Sequence, residues 1–105
     1  MSRAEPDLPA DLVAVLAHLE QPAAIQALLG DLLTPAETEA LTERWAIVKR
    51  LRAGESQRAV RDAVGCSITT VGRGSRQLQY GRGGFVQAFA ALQALGLPGP
   101  AGEAP

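Results

Sequence analysis

The sequence predicts an all-α domain of about six helices arranged around a central helix-turn-helix. Apolar residues recur at helical spacing through most of the chain, and the alternating pattern of a strand is almost missing. The composition is rich in Ala and Leu and only 4% aromatic, which also favours helices. A chain of 105 residues has room for one domain. We predict this domain over residues 10–95, between disordered ends at 1–9 and 96–105.

The first third of the chain predicts two apolar helices. Ala10 to Glu20 forms one, with Leu12 and Leu16 on the same face. Pro22 suits the first turn of a second helix, whose large apolar residues cover a wide arc. These residues are Ile25, Leu28, Leu29, Leu32 and Leu33. Because a small monomer does not readily bury so wide an arc, we expect the second helix to pack against another chain.

A third helix is predicted to begin after Thr34 and to end near Ala53. Thr34 is the N-cap, Pro35 takes the first helical position, and Glu37 closes a capping box. Gly54 stands where a left-handed residue ends a helix. The apolar stripe of this helix is expected to consist of Leu41, Trp45, Ile47, Val48 and Leu51.

Residues 56–79 predict the helix-turn-helix. Ser56 caps a fourth helix that runs to Val64, and Gly65 supplies the turn. Ser67 caps a fifth helix that ends near Gln79. The inner side of the fifth helix is expected to carry Ile68, Val71, Ser75 and Leu78. Its outer side is expected to carry Thr69, Thr70, Arg73, Arg76 and Gln77.

Two glycines lie inside the fifth helix. Gly72 and Gly74 each weaken a helix interior by about 1 kcal/mol relative to alanine. We therefore expect this helix to be loosely held. A glycine-rich break at 81–84 follows it, and a last amphipathic helix with Phe85 and Phe89 on its apolar side runs to about Leu95.

Charge is distributed unevenly along the chain. Residues 1–43 hold eight acidic residues and one Arg, whereas residues 44–82 hold nine basic residues and two acidic ones. A net charge of −1 therefore hides a basic segment around the predicted helix-turn-helix. Because Lys and Arg neutralise phosphates, this distribution indicates nucleic-acid binding.

The fifth helix is predicted to enter the major groove of double-stranded DNA. Thr69 and Thr70 can touch base edges, and Arg73 or Arg76 can bond to guanine or to phosphate. The start of the fourth helix suits phosphate oxygens. The predicted DNA-binding residues are Ser56, Gln57, Arg58, Arg61, Ser67, Thr69, Thr70, Arg73 and Arg76. The alternative is a helical interaction module whose basic lobe binds an acidic protein partner.

Other function classes find little support in the sequence. No nucleophile–base pair or carboxylate dyad is recognisable, so we predict that the protein is not an enzyme. Cys66 is the single cysteine and His18 the single histidine, which argues against a disulfide and a metal site. The N-terminus has no uninterrupted apolar run, so we expect no signal peptide, no membrane contact and a cytoplasmic location.

The segment LLTPAETEALTERWAIVKRLRAGESQRAVRDAVGCSITTVGRGSRQL resembles the tryptophan repressor superfamily. The likeness lies in LTP at a helix start, the spaced Arg44, the SQR of the fourth helix and the RGS of the fifth. The ending QLQYGRGGF is most similar to the YerC/YecD branch of these DNA-binding proteins. The resemblance implies an intertwined helical homodimer that represses transcription. Its two reading heads, about 34 Å apart, would require a palindromic operator.

The resemblance also implies an effector site. In the tryptophan repressor the effector's indole lies between two arginines, to which Arg44 and Arg73 correspond, and Thr34 matches another pocket residue. Gln77 stands where that repressor has a pocket serine, and the segment after Glu55 is one residue shorter. The implied effector is a small amino-acid-like molecule such as L-tryptophan, and no other cofactor is expected.

Overall fold

The computed structural model describes residues 6–99, which contain six helices and, within that range, no strand. The helices are α1 (Ala10–His18), α2 (Pro22–Leu32), α3 (Pro35–Arg52), α4 (Gln57–Val64), α5 (Ile68–Tyr80) and α6 (Gly84–Ala94). The all-α prediction is confirmed. Residues 6–9 and 97–99 have no regular secondary structure. The disorder predicted for 1–5 and 100–105 falls outside the described residues.

The start of α3 is fixed by a capping box. The Glu37 N–H donates to Thr34 Oγ1 at 3.1 Å, and the Thr34 N–H donates to Glu37 Oε1 at 2.9 Å. Pro35 occupies the first helical position, where its missing N–H costs no intrahelical hydrogen bond. The two bonds to Thr34 hold the pKa of the Glu37 carboxyl below its usual value. The predicted helix start is therefore confirmed.

The chain divides into two compact units, with the boundary between Thr38 and Glu39. Within the first unit, α1 and α2 bury none of their own residues. Large apolar side chains there stay in solvent, since Val13 is 49% exposed and Leu32 is 52% exposed. The first unit thus presents apolar surface that its own helices do not cover.

The second unit has a core to which three helices each contribute one fully buried residue. Ile47 of α3, Val60 of α4 and Val71 of α5 are all 0% exposed and form one cluster. Leu51, Val64 and Cys66 pack against it. Tight packing of such a core is sensitive to the addition of a single carbon atom. The position of α5 is therefore set by its contacts with α3 and α4.

Gly74 allows α5 to approach α3 closely. A Cβ atom at this position would lie 2.7 Å from Ile47 Cγ2, which is closer than carbon atoms pack. Helix propensity alone makes Gly74 a weak point of α5, but in the structure the missing side chain makes room for Ile47. The expected looseness of α5 stays a prediction.

Two residues predicted to face the core are exposed instead. Ile68 is 44% exposed because the buried part of α5 begins one turn later, at Val71. Leu41 is 52% exposed because the buried residues of α3, Ile47 and Val48, lie in its C-terminal half. In each case the helical periodicity identified the apolar face of the helix. It did not indicate which part of that face other helices cover.

Aromatic contacts attach α6 to α3. The ring of Trp45 stacks on that of Phe89 with centroids 5.7 Å apart, and Phe85 stacks on Phe89 at 6.4 Å. Lys49 Nζ lies 5.5 Å from the Trp45 ring, and the Arg52 guanidinium lies 6.0 Å from the Phe89 ring. These distances lie within the range of cation–π attraction. Phe89 is accordingly the one buried residue of α6.

Candidate nucleic-acid interface and effector groove

The turn between α4 and α5 is set by one left-handed residue. Gly65 has φ 80° and ψ 31°, a conformation that costs glycine little, and its N–H donates to the Arg61 carbonyl at 2.8 Å. Ser67 then starts α5, because its Oγ accepts the Thr70 N–H at 3.1 Å. At the start of α4, Ser56 Oγ accepts a backbone N–H in the same way. The predicted helix-turn-helix is therefore present with its predicted caps.

The exposed side of α5 carries hydroxyl and guanidinium groups. Thr69, Arg73 and Arg76 are exposed, while Val71 and Gly74 on the opposite side are buried. Thr70 is half-buried, and its hydroxyl lies 2.8 Å from Ser67 Oγ. On this helix the polar groups lie on the side away from the core, where another molecule can reach them.

The arginines of this region differ in whether they have an acidic partner. Arg61 Nη2 lies 2.9 Å from Asp62 Oδ1, so the neighbouring acid offsets its charge. By contrast, Arg58, Arg73 and Arg76 form no ion pair with any residue between 6 and 99. Exposed ion pairs are weak, but an unpaired guanidinium gives up no partner when it binds a phosphate. These three arginines are thus better placed than Arg61 for phosphate or base contacts.

The structure leaves most of the predicted DNA-binding residues accessible. The exposed members of the set are Ser56, Gln57, Arg58, Ser67, Thr69, Arg73 and Arg76, and the half-buried ones are Arg61 and Thr70. None of them is buried in the core. Their role in DNA binding stays a prediction.

A groove of about 620 Å³ lies in the second unit, between α3, α5 and the start of α6. Arg44, Arg73 and Gln77, three of the four predicted effector residues, line it together. The fourth, Thr34, belongs to the first unit, where its side chain caps α3. The volume is typical of sites for small organic molecules.

The groove is also lined by residues outside the predicted effector set. Arg76 and Thr70 are predicted DNA-binding residues, and Glu43 and Phe85 belong to no predicted site. Glu43 lies one turn before Ile47 on the same face of α3, and this spacing in the sequence could have indicated that Glu43 lines the groove. No spacing in the sequence indicates that Phe85 lines the groove. Its position depends on the packing of α6 against α3, which a single helix does not reveal. The lining holds three guanidinium groups against one carboxylate, which favours a ligand with an anionic group.

Within residues 6–99, no group of three or more His, Cys, Asp or Glu side chains could hold a metal ion. Cys66 is free, and burial, followed by the negative charge of Glu43, raises the pKa of its thiol. It is therefore protonated and a poor nucleophile at neutral pH. None of the helices in the described range is both long and apolar enough to cross a membrane.

Two short helices joined at a left-handed glycine, the second carrying exposed hydroxyl and guanidinium groups, define a helix-turn-helix protein. A family model described as "Trp repressor protein" matches residues 10–93 of the chain. The chain belongs to the Trp repressor family. It is accordingly a DNA-binding transcriptional repressor. The family is one of transcriptional repressors and not of enzymes.

Individual relatives agree with this assignment. The chain is 40% identical over 95 residues to a Trp operon repressor homolog of Vibrio cholerae. The aligned region covers 90% of this chain and 86% of that protein. It is 47% identical over 53 residues to a Trp operon repressor homolog of Vibrio vulnificus, about half of each protein. A crystal structure of a candidate Trp repressor from Staphylococcus aureus has the same fold, with a TM-score of 0.71 over 85% of this chain and 86% of that one. Its identity to this chain is 22%.

Proposed function

We propose that this protein represses transcription as a homodimer that places α5 in the major groove of a palindromic operator. The observation that carries the proposal is the exposed side of α5, where Thr69, Arg73 and Arg76 lie opposite the buried Val71. Hydroxyl, methyl and guanidinium groups are those that read base edges and hold phosphates. As a repressor the protein would act in the cytoplasm.

Dimer formation is supported by the first unit. The α1 and α2 helices bury none of their residues, although α2 carries a wide apolar arc that includes Leu32. A second copy of the chain is the partner that the family resemblance implies. Two reading heads related by a twofold axis would contact half-sites about one helical turn of DNA apart. Sedimentation should therefore give a mass of about twice 11.0 kDa.

For the effector, we propose a small amino-acid-like molecule such as L-tryptophan in the groove between Arg44 and Arg73. The support is that these two arginines line the same groove, with the aromatic ring of Phe85 beside them. A guanidinium can bind the carboxylate of an amino acid in a bidentate manner, and an aromatic ring can stack on its side chain. Isothermal calorimetry with each of the common amino acids tests this proposal directly. Loss of binding in Arg44→Ala is expected.

The experiment that tests the DNA proposal is selection of bound sequences from random duplexes, with and without each amino acid. Enrichment of a palindrome is the expected result, and its dependence on one amino acid would identify the effector. If no sequence is enriched under any condition, sequence-specific DNA binding is excluded.

A further inference from the structure

Gly72 has no explanation within the described part of the chain. Its backbone is ordinary helix, so no left-handed conformation calls for glycine. A Cβ atom there would have one neighbour within 4 Å, Gln57 Oε1 at 4.0 Å, which is an ordinary contact with the end of a flexible side chain. Glycine is among the weakest helix formers, and alanine at this position would favour the helix. Gly72 therefore differs from Gly74 two residues later, which Ile47 leaves no room to enlarge.

Gly72 is half-buried, at the edge of the exposed side of α5 and beside the Gln57 side chain of α4. Thr69 is one turn before it and Arg76 one turn after it, and both of these residues are exposed. Gly72 therefore leaves a gap between the side chains of Thr69 and Arg76, where no side chain of its own covers the helix backbone. A partner that enters this gap would come closer to the backbone than it could at either of those side chains.

We propose that duplex DNA makes direct van der Waals contact with the α5 backbone at Gly72. The inference rests on the proposed function, since the two flanking residues are those proposed to contact DNA. In this arrangement Gly72 is a positioning residue. It sets the depth to which α5 enters the groove, while Thr69 and Arg76 make the polar contacts on either side.

The test compares two variants that both strengthen α5. Gly72→Ala adds one methyl group between Thr69 and Arg76, and Ser75→Ala removes a hydroxyl from another half-buried position of the same helix. Both should raise the Tm, the first by about 4 °C. Affinity for a duplex selected with the wild-type protein should fall about tenfold or more in Gly72→Ala and stay unchanged in Ser75→Ala. The comparison separates added bulk from a stiffer helix.

Three results would overturn the inference while wild-type DNA binding stands. In the first, Gly72→Ala binds the duplex as well as the wild type. In the second, Ser75→Ala loses as much affinity as Gly72→Ala, which would assign the effect to helix stiffness. In the third, Gly72→Ala lowers the Tm, which would show that internal packing needs the glycine. If the wild-type protein binds no selected duplex, the proposed function itself fails, and the inference fails with it.

Discussion

Gly74 of α5 and Ile47 of α3 are packed so closely that a Cβ atom on the glycine would lie 2.7 Å from the isoleucine Cγ2. Ile47 is fully buried and is branched at Cβ, so its methyl group cannot turn aside without disturbing the core. The contact joins the proposed reading helix to α3, the longest helix within residues 6–99. It fixes the distance between two of the helices that line the proposed effector groove.

We expect Gly74→Ala to lower the free energy of unfolding by about 1–2 kcal/mol. Overpacking a core costs about 1–3 kcal/mol, and the better helix propensity of alanine offsets up to about 1 kcal/mol of that. Urea unfolding measures the change. Gly72→Ala is the matched control, because the same methyl group meets only the end of the Gln57 side chain there, at an ordinary 4.0 Å, and should be stabilising. A Gly74→Ala protein as stable as the wild type would show that α3 and α5 can separate at little cost.

Removal of the α5 cap should also lower stability. Ser67 Oγ accepts the Thr70 N–H at 3.1 Å and lies 2.8 Å from Thr70 Oγ1. We expect Ser67→Ala to lower the free energy of unfolding by about 1 kcal/mol, the usual cost of losing a serine cap. Ser75→Ala makes the same chemical change inside the helix and should not be destabilising. Equal stability of the two variants would contradict a capping role for Ser67.

Glu37 predicts a pH dependence at the start of α3. Its folded pKa is lowered from 4.5 by the hydrogen bond with the Thr34 backbone and then by that with the Thr34 side chain. The carboxylate therefore contributes stability that is fully present above the unfolded pKa and is lost as the pH falls through the folded pKa. Glu37→Gln keeps a hydrogen-bond acceptor but does not titrate. We expect the urea midpoint of the wild type to fall relative to that of Glu37→Gln below about pH 4.5. Parallel pH profiles would exclude this role.

Arg73→Ala should weaken operator binding by about 1–3 kcal/mol, the usual worth of one good base or phosphate contact. Arg73 is exposed on α5 and forms no ion pair with residues 6–99. Arg50→Ala is the control, since Arg50 Nη1 is bound to Glu55 Oε1 at 3.1 Å at the end of α3. Fluorescence anisotropy with a labelled operator measures both affinities. Unchanged affinity in Arg73→Ala would remove this residue from the interface.

Arg58→Ala should change the salt dependence of DNA binding more than its sequence preference. Arg58 is exposed in the first turn of α4, where we expect it to contact phosphate. Loss of one phosphate contact should reduce the slope of log K against log salt concentration by about 1 and weaken binding to all duplexes similarly. If the slope is unchanged, Arg58 does not contact the DNA backbone.

Local signals in the sequence were sufficient for the starts of α3, α4 and α5 and for the central turn. The capping serines, the Thr34–Glu37 pair and Gly65 act on backbone groups within a few residues, so the sequence alone contains both partners of each interaction. The family resemblance added the pair Arg44 and Arg73, which the structure brings into one groove. The YerC/YecD branch stays a prediction.

Features that depend on contacts between helices were not predictable in this way. Periodicity placed Ile68 on the correct face, but its exposure depends on where neighbouring helices end. Phe85 lines the groove because Phe89, one turn later, is held against Trp45 of α3. The packing role of Gly74 similarly depends on Ile47, which is 27 residues earlier in the chain. Contacts of this kind join different helices, so they leave no pattern in the sequence of a single helix.

The stack of Trp45 on Phe89 gives the protein a built-in optical reporter. Trp45 is the single tryptophan of the chain, so its intrinsic emission comes from one site on α3. Phe89 also stacks on Phe85, which lines the groove, and the two steps of 5.7 and 6.4 Å join the indole to the proposed effector site. A non-fluorescent ligand that displaces Phe85 should therefore change the emission of Trp45 in an unlabelled sample. Compound libraries can then be screened by intrinsic tryptophan fluorescence.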